Sequence, residues 1–357
     1  MASSLLRARL AAHRLVGAPF DDAAAAVAAF GAVQAQGHRG GLLGVGLRVA
    51  RATEATVARA EADGAIVRTW PMRGTLHFVA RADLRWLVAL LAPRVIRRAS
   101  GRYRELGLDE ATFGRCRDHL ARALDGAPPL PRPDTLASLE RAGIVTTGQR
   151  GAHILGRLAM EGVLCMGPHG DKQPTFTLVD AWIPRPRASL LAGDEALAEL
   201  ARRYFTSHGP AADRDFAWWS GLTLGEARRA IAAASPAVAA THARGVIRYV
   251  GADAAAPARA GPRALLLPAW DEYTVAYRGR DELFDAEHAA RLGNGIFAPV
   301  VVVDGRVVGT WRRTTKRSRV AVALDLVEAP SRAVTGALAE AAARYGAFVG
   351  AEIDLTT

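Results

Sequence analysis

Ile66-Val67-Arg68-Thr69-Trp70-Pro71-Met72-Arg73-Gly74-Thr75-Leu76-His77-Phe78-Val79 reads as two β-prone runs joined across a turn at Arg73-Gly74. Three amphipathic helices precede it, over residues 5–16, from a cap at Asp21 or Asp22 to residue 33, and over 53–63. Helices followed by such a hairpin are the grammar of a winged helix, in which the hairpin is the wing.

The same order recurs downstream. A linking helix over 82–104 leads to helices over 109–124, 134–141 and 152–161, interrupted by a Pro-rich break at 128–133. A second wing-like hairpin over 163–179 carries Gly167, Pro168, Gly170 and Pro174. A third group has helices over 195–208, 213–219 and 224–234, the last a candidate recognition helix, and a strand over 246–250. Beyond the Ala/Gly/Pro-rich stretch 251–262 the texture changes to short β-branched runs at 264–268, 299–303, 306–311 and 320–327. Asp304-Gly305 between two of them is a hairpin signal, and a helix over 331–348 closes the chain. The expected fold class is α+β, with tandem winged-helix units at 1–105, 106–190 and 191–262 and a β-rich module at 263–357. No residue-level repeat is visible, and the helical periods would also suit an ordinary bundle.

A chain of 357 residues, half of them apolar, can bury more than one core. Its net charge of +11 favours a polyanionic partner, because cations clustered on a face gain free energy by releasing counterions from a phosphate backbone. Ala and Arg crowd the whole chain, as they would if nucleotide composition had inflated Arg. Of 46 basic residues only Lys172 and Lys316 are lysines. Arginine grips phosphate and stacks on bases but does not deprotonate to become a nucleophile, so the composition suits grip better than covalent catalysis. Cys116 and Cys165 are isolated and no His pair has metal-ligand spacing, so neither a disulfide framework, a metal nor a cofactor is expected. The N-terminal region is interrupted by Arg7, Arg9 and Arg14 and no long apolar run follows, which predicts a soluble cytoplasmic protein with no membrane partner.

Gln34 and Gln36, in Gly31-Ala32-Val33-Gln34-Ala35-Gln36-Gly37, are the residues that most invite a catalytic reading. On a helix such a pair would diverge; on extended chain its members share a face. Gly37, Gly40 and Gly41 directly after them predict that the helix has ended there. Two amides could then hold a water and a base or phosphate. The plainer reading makes them polar residues at a helix end.

Val33-Gln34-Ala35-Gln36, the hairpin from Arg68 to His77, Leu266-Leu267-Pro268-Ala269-Trp270-Asp271-Glu272-Tyr273 and the run from Val301 to Trp311 together resemble the AlkZ/YcaQ-type winged-helix DNA glycosylases. The likeness runs nearly end to end. It implies tandem winged helices with a C-terminal β-rich module in a C-shaped molecule whose concave face takes DNA. It also implies excision of alkylated purines, with interstrand-crosslink unhooking in the branch associated with producers of alkylating antibiotics. The signature is Gln, an apolar residue, then Gln or Asp; Gln34 and Gln36 match the double-glutamine form and are the expected catalytic residues.

A purine alkylated at N7 or N3 is already cationic, so its departure needs no general acid. What remains is to place a water and support an oxocarbenium-like sugar. Paired amide dipoles suffice only for such destabilised lesions, and the scarcity of lysine predicts hydrolysis without Schiff-base strand cleavage. Candidate DNA contacts are Arg68, Arg73 and His77 on the first hairpin, although Trp70, Met72, Leu76 and Phe78 share a core-facing parity and His77 suits an interior role. The cluster Arg312, Arg313, Lys316, Arg317 and Arg319 reads as a projecting hairpin tip that clamps phosphate. Arg94, Arg97, Arg98, Arg102 and Arg104 form a further basic stripe. Asp271 and Glu272 could orient a water but better suit a buried anchor; they and His38 are reserve candidates. Trp218 and Trp219 read as core. The rival class is a non-catalytic winged-helix regulator, or a resistance protein that binds adducted DNA or drug. Three unlike units with no dimerisation zipper suit a monomer on double-stranded DNA better than a two-half-site reader.

Overall fold

The computed structural model describes residues 4–170, 173–185, 190–243, 245–255, 263–284, 298–316 and 319–356. Its contacts divide the chain into two compact units, one formed by Met1–Val57 with Leu197–Thr357 and the other by Ala58–Ala196. The division falls inside the segment 1–105 and joins the chain's beginning to its end.

The discontinuous unit opens with helices Ser4–Ala12 and Ala23–Phe30. Asp22 caps the second, its Oδ1 accepting from the Ala25 N–H at 2.8 Å. That helix stops at Gly31, whose φ of +77° breaks the helical path three residues earlier than expected. A two-residue strand, Val33–Gln34, follows, and then a helix that sequence reasoning missed, His38–Gly46. Gly37 is its N-cap and Gly40 and Gly41 lie inside it, so these glycines begin a helix rather than end one. Glycine costs a helix interior about 1 kcal/mol relative to Ala, and the packing explains its use here. A Cβ on Gly46 would stand 2.2 Å from the Phe348 ring, which demands glycine there, whereas one on Gly44, 3.4 Å from the Asp271 carboxylate, would make an ordinary contact.

The later part of this unit opens in helix Gly193–His208, followed by helices Asp213–Ser220 and Leu224–Ala233, the last held by a Thr223/Glu226 capping box. The expected strand is Val246–Gly251, and its partner Val238–Ala243 was not anticipated. The β-rich part is a five-stranded sheet in the order Glu352–Thr356, Arg319–Leu326, Arg306–Lys316, Val300–Val303, Ala264–Leu267. All its pairings are antiparallel except that of the last strand in sequence, Glu352–Thr356, another element not anticipated. The closing helix Arg332–Val349 is capped by the Ser331 hydroxyl and buries Leu338, Ala342, Tyr345 and Phe348. Trp311 meets Tyr345 edge to face with ring centroids 5.0 Å apart and donates its indole N–H to the Leu267 carbonyl at 2.8 Å.

The continuous unit carries the hairpin Ile66–Met72 and Thr75–Ala80. Arg73 and Gly74 both have positive φ (55° and 75°), the two-residue turn that matches the twist of paired strands. Met72, Leu76 and Phe78 are buried and Trp70 half-buried, but Val67, Thr69, His77 and Val79 of the other parity are buried too, so both faces of the hairpin are covered. The basic helix is two helices, Leu84–Arg98 and Ser100–Glu105, and Arg102 is held by Glu105 at 2.6 Å and Gln149 at 2.9 Å. Helices Glu110–Ala123, Arg132–Arg141 and Arg150–Met160 enclose a core around Phe113, Leu120, Ile154, Leu158 and Phe176. A three-stranded sheet covers it, with Thr175–Leu178 between Leu130–Pro131 and Leu164–Met166. Cys116 and Cys165 are free and buried, and burial pushes their thiols up to about 11 and about 12. Among the described residues no helix is long and apolar enough to cross a membrane.

Candidate active site

In the discontinuous unit, ending the helix at Gly31 puts Gln34 and Gln36 on non-helical chain, which a pair one residue apart requires. The two amides are not equivalent. Gln34 is 6% exposed, Ala35 is fully buried, and Gln36 is exposed in the bend leading to Gly37. Gln34 can act in a sheltered setting and Gln36 at the solvent boundary.

The strand is held by Glu272, one of the two acids that sequence reasoning placed in reserve. Glu272 is fully buried, and its Oε1 accepts the Gln34 backbone N–H at 2.6 Å. Its Oε2 accepts the Trp219 indole N–H at 2.8 Å and faces His208 Nε2 at 3.3 Å. Asp271 next to it forms a two-pronged ion pair with Arg48, at 2.8 and 2.9 Å, with both side chains fully buried. Asp271 also caps the short helix Glu272–Val275 by accepting from the Tyr273 N–H at 2.9 Å. Trp270 just before it takes a φ of +67°, rare for an aromatic residue. Both acids are therefore internal anchors, as the buried-anchor reading held, and neither is open to solvent.

Two histidines complete this buried network. Tyr277 Oη donates to the His208 carbonyl at 2.8 Å, so His13 Nε2–H donates to Tyr277 Oη at 2.9 Å and its Nδ1 faces the Arg48 guanidinium at 3.5 Å. Burial pulls the His13 imidazole well below its usual value, helped by His208, Arg48 and Arg9. Burial also pulls His208 down, against an opposing pull from Glu272. Trp219 is buried, as expected, but Trp218 is 47% exposed and donates to the Val275 carbonyl at 3.2 Å. Arg48, His13 and His208 were not singled out in the sequence; each carries its polar group among apolar neighbours, which is the one signal it offered.

Beside the motif, Gly37 and Gly40 line a pocket of about 250 Å³ with Trp270, Trp311, Arg39 and Arg313. His38, the first residue of its helix, is half-buried.

The basic segment 311–319 differs from the expected loop tip. Strand Arg306–Lys316 runs through it, with Arg312 opposite Ala323, Arg313 opposite Val322 and Lys316 opposite Arg319. Alternation along a strand sends Arg312 and Arg313 to opposite faces, so the described cations of this segment do not all share one face. Arg312 is exposed, whereas Arg313 donates to Tyr345 Oη at 2.9 Å. Arg319 is paired with Glu352 at 3.0 Å and Asp354 at 3.2 Å. Arg317 lies outside the described residues, as does Lys172, and Lys316 is described by its backbone alone.

In the continuous unit, Arg68 is buried, and burial draws its guanidinium below its usual value against the opposing pull of Glu61. It has no open face for a phosphate. His77 is fully buried: Nδ1–H donates to the Thr75 carbonyl at 3.0 Å, which leaves Nε2 to accept from Arg73 Nη2 at 3.2 Å. His77 thus orients Arg73 from inside, and Arg73 at the turn is the half-buried cation of the hairpin.

Comparison with known proteins agrees with this architecture. The chain is 28% identical over 330 residues to the interstrand DNA cross-link repair glycosylase of Streptomyces sahachiroi, covering 88% of each chain. The solved structure of the Streptomyces sahachiroi DNA glycosylase AlkZ superposes with a TM-score of 0.81 at 23% identity, covering 100% of both chains, which shows a common α+β fold. The family model described as DNA glycosylase AlkZ-like matches residues 27–348, a span holding both glutamines and both anchoring carboxylates. By that match over nine-tenths of its length, the chain belongs to the AlkZ-like DNA glycosylase family.

Proposed function

We propose that this protein is a monofunctional DNA glycosylase that hydrolyses the N-glycosidic bond of cationic purines alkylated at N7 or N3, bulky adducts and interstrand crosslinks included. The carrying observation is the buried bond from the Gln34 N–H to Glu272, which pins the glutamine strand to an internal carboxylate. A motif serving only as a polar helix end would need no such anchor. Gln34 and Gln36 place the attacking water and support positive charge developing on the sugar; the cationic purine leaves without protonation. No lysine lies in the motif segment, which favours hydrolysis over Schiff-base strand cleavage. The relative named as an interstrand cross-link repair glycosylase supports crosslinked DNA as substrate.

On this reading the helix groups that end in hairpins are winged helices, and the working form is a monomer on double-stranded DNA in the cytoplasm, in repair or in self-resistance to an alkylating antibiotic. Arg73 and Arg312 are the cations best placed to grip phosphate, with Lys316 and Arg317 beside the latter in sequence.

The test is base release. DNA carrying N7-alkylguanine or a crosslink is incubated with the protein, then treated with hot alkali, and cleavage at the lesion is compared with spontaneous depurination. Gln34→Ala and Gln36→Ala should each slow release by about 100- to 1000-fold, the range for removing one preorganised polar group, with DNA binding retained. Specific binding to undamaged DNA without base release would overturn the reading in favour of a regulator.

A further inference from the structure

We propose that Glu272 is a positioning residue for this reaction: it sets the place of the Gln34 amide by holding the backbone from which that amide projects. The inference rests on the function proposed above.

A buried carboxylate is poor evidence of stabilisation, since an apolar residue of similar volume usually does as well. What distinguishes Glu272 is where its hydrogen bonds go. One oxygen is given to the Gln34 N–H at 2.6 Å, and the other to Trp219 and His208, so the carboxylate links the motif strand to two different helices. A charge-assisted bond to a backbone N–H holds that atom more tightly than a neutral acceptor would.

The support is itself fixed from behind. Asp271 is clamped by Arg48, which also donates to the Gly44 carbonyl at 2.6 Å. Tyr273 Oη donates to the Gly305 carbonyl at 2.8 Å, and Tyr277 Oη to that of His208. Glu272 is therefore a fixed point rather than a side chain that relaxes to follow the strand. Because a displacement of 1 Å in a reacting group can cost about 100-fold in rate, the backbone under Gln34 is where rigidity has kinetic value.

The experiment is a double-mutant cycle on the full chain, read as single-turnover base release at saturating protein beside the Kd for lesion DNA. Glu272→Gln keeps the shape but puts an amide where a carboxylate accepted from the Gln34 and Trp219 N–H groups. It should slow release at least about tenfold with the Kd changed less than about threefold. In a Gln34→Ala background the same substitution should cost almost nothing more, because the group it positions is gone. If Gln34→Ala alone leaves release unchanged, the function proposed above fails, and this inference with it. If Gln34→Ala slows release but Glu272→Gln does not, or if the two losses multiply, the positioning role alone is overturned.

Should Glu272→Gln not fold, two measurements remain. With four glutamines in the chain, labelling with 15N-glutamine gives four backbone amide signals. The Gln34 amide should exchange far more slowly than an open one. Trp219→Phe, which removes one donor from the carboxylate, should speed that exchange and slow release several-fold. A Gln34 amide that exchanges like an open one, or a Trp219→Phe variant with unchanged release, would overturn the proposal.

Discussion

At the scale of single residues, the Arg48–Asp271 pair has the largest energetic consequence. Both side chains are fully buried, and two hydrogen bonds repay part of the desolvation of two charges. Asp271→Ala strands the guanidinium and should cost about 3–5 kcal/mol in urea unfolding. The double variant Arg48→Met with Asp271→Leu should recover most of that loss; no recovery would show the pair to be worth more than its burial cost. The acids and the glutamines were legible as candidates because each sits in a short, unusual stretch. Their connection was not, since the bond spans 238 residues and a backbone N–H leaves no mark on the sequence. Arg68 misled for a related reason: its charge suggests exposure, yet it is buried. His77 took the interior role it suited, and spends both ring nitrogens inside the hairpin.

At the scale of elements, helices with polar caps and apolar stripes were readable to within a few residues, whereas elements defined by what packs on them were not. Helix His38–Gly46 has four internal or terminal glycines that argue against a helix, and its reason lies in Phe348, near the other end of the chain. Gly46→Ala, neutral or favourable in an isolated helix, should here destabilise by about 1–3 kcal/mol through overpacking, and Phe348→Leu in the same chain should relieve part of it. The strand Arg306–Lys316 outran its expected end because Val320, Val322 and Leu324 alternate opposite it and keep the ladder going. Its basic residues consequently differ in what they can give to DNA. Arg312→Ala should reduce the slope of log K against log salt by about one, as loss of one phosphate contact does. Arg319→Ala, removing a cation already engaged by Glu352 and Asp354, should change the slope by less. Equal effects of the two variants would refute the distinction between exposed Arg312 and a cation already engaged by carboxylates.

At the scale of the whole molecule, the α+β class was legible from the change of texture near residue 262, but the grouping was not, because contacts join residues 1–57 to 197–357. The clearest consequence is a dependence on acid. His13 and His208 lie in that unit's interior, and burial pulls both below the value of 6.5 that an unfolded chain would show. The groups facing His13 are Arg48, Arg9 and His208, together with the rings of Phe30, Tyr273 and Tyr277. Below pH 6.5 the unfolded chain therefore binds protons that the folded one refuses. Stability is fully present above that pH and lost as it falls, by up to about 1.4 kcal/mol per pH unit for each histidine. Urea midpoints should hold steady from pH 8 to 7 and decline from 6.5 to 5, with the decline weakened in His13→Gln. Amides do not titrate, so a reaction run by Gln34 and Gln36 should show a rate of base release that is flat with pH wherever the fold is intact. Its acid limb should follow the urea midpoints, moving with His13→Gln. An acid limb that stays in place in that variant would mean a titrating group takes part in the chemistry, and the amide mechanism would have to give way.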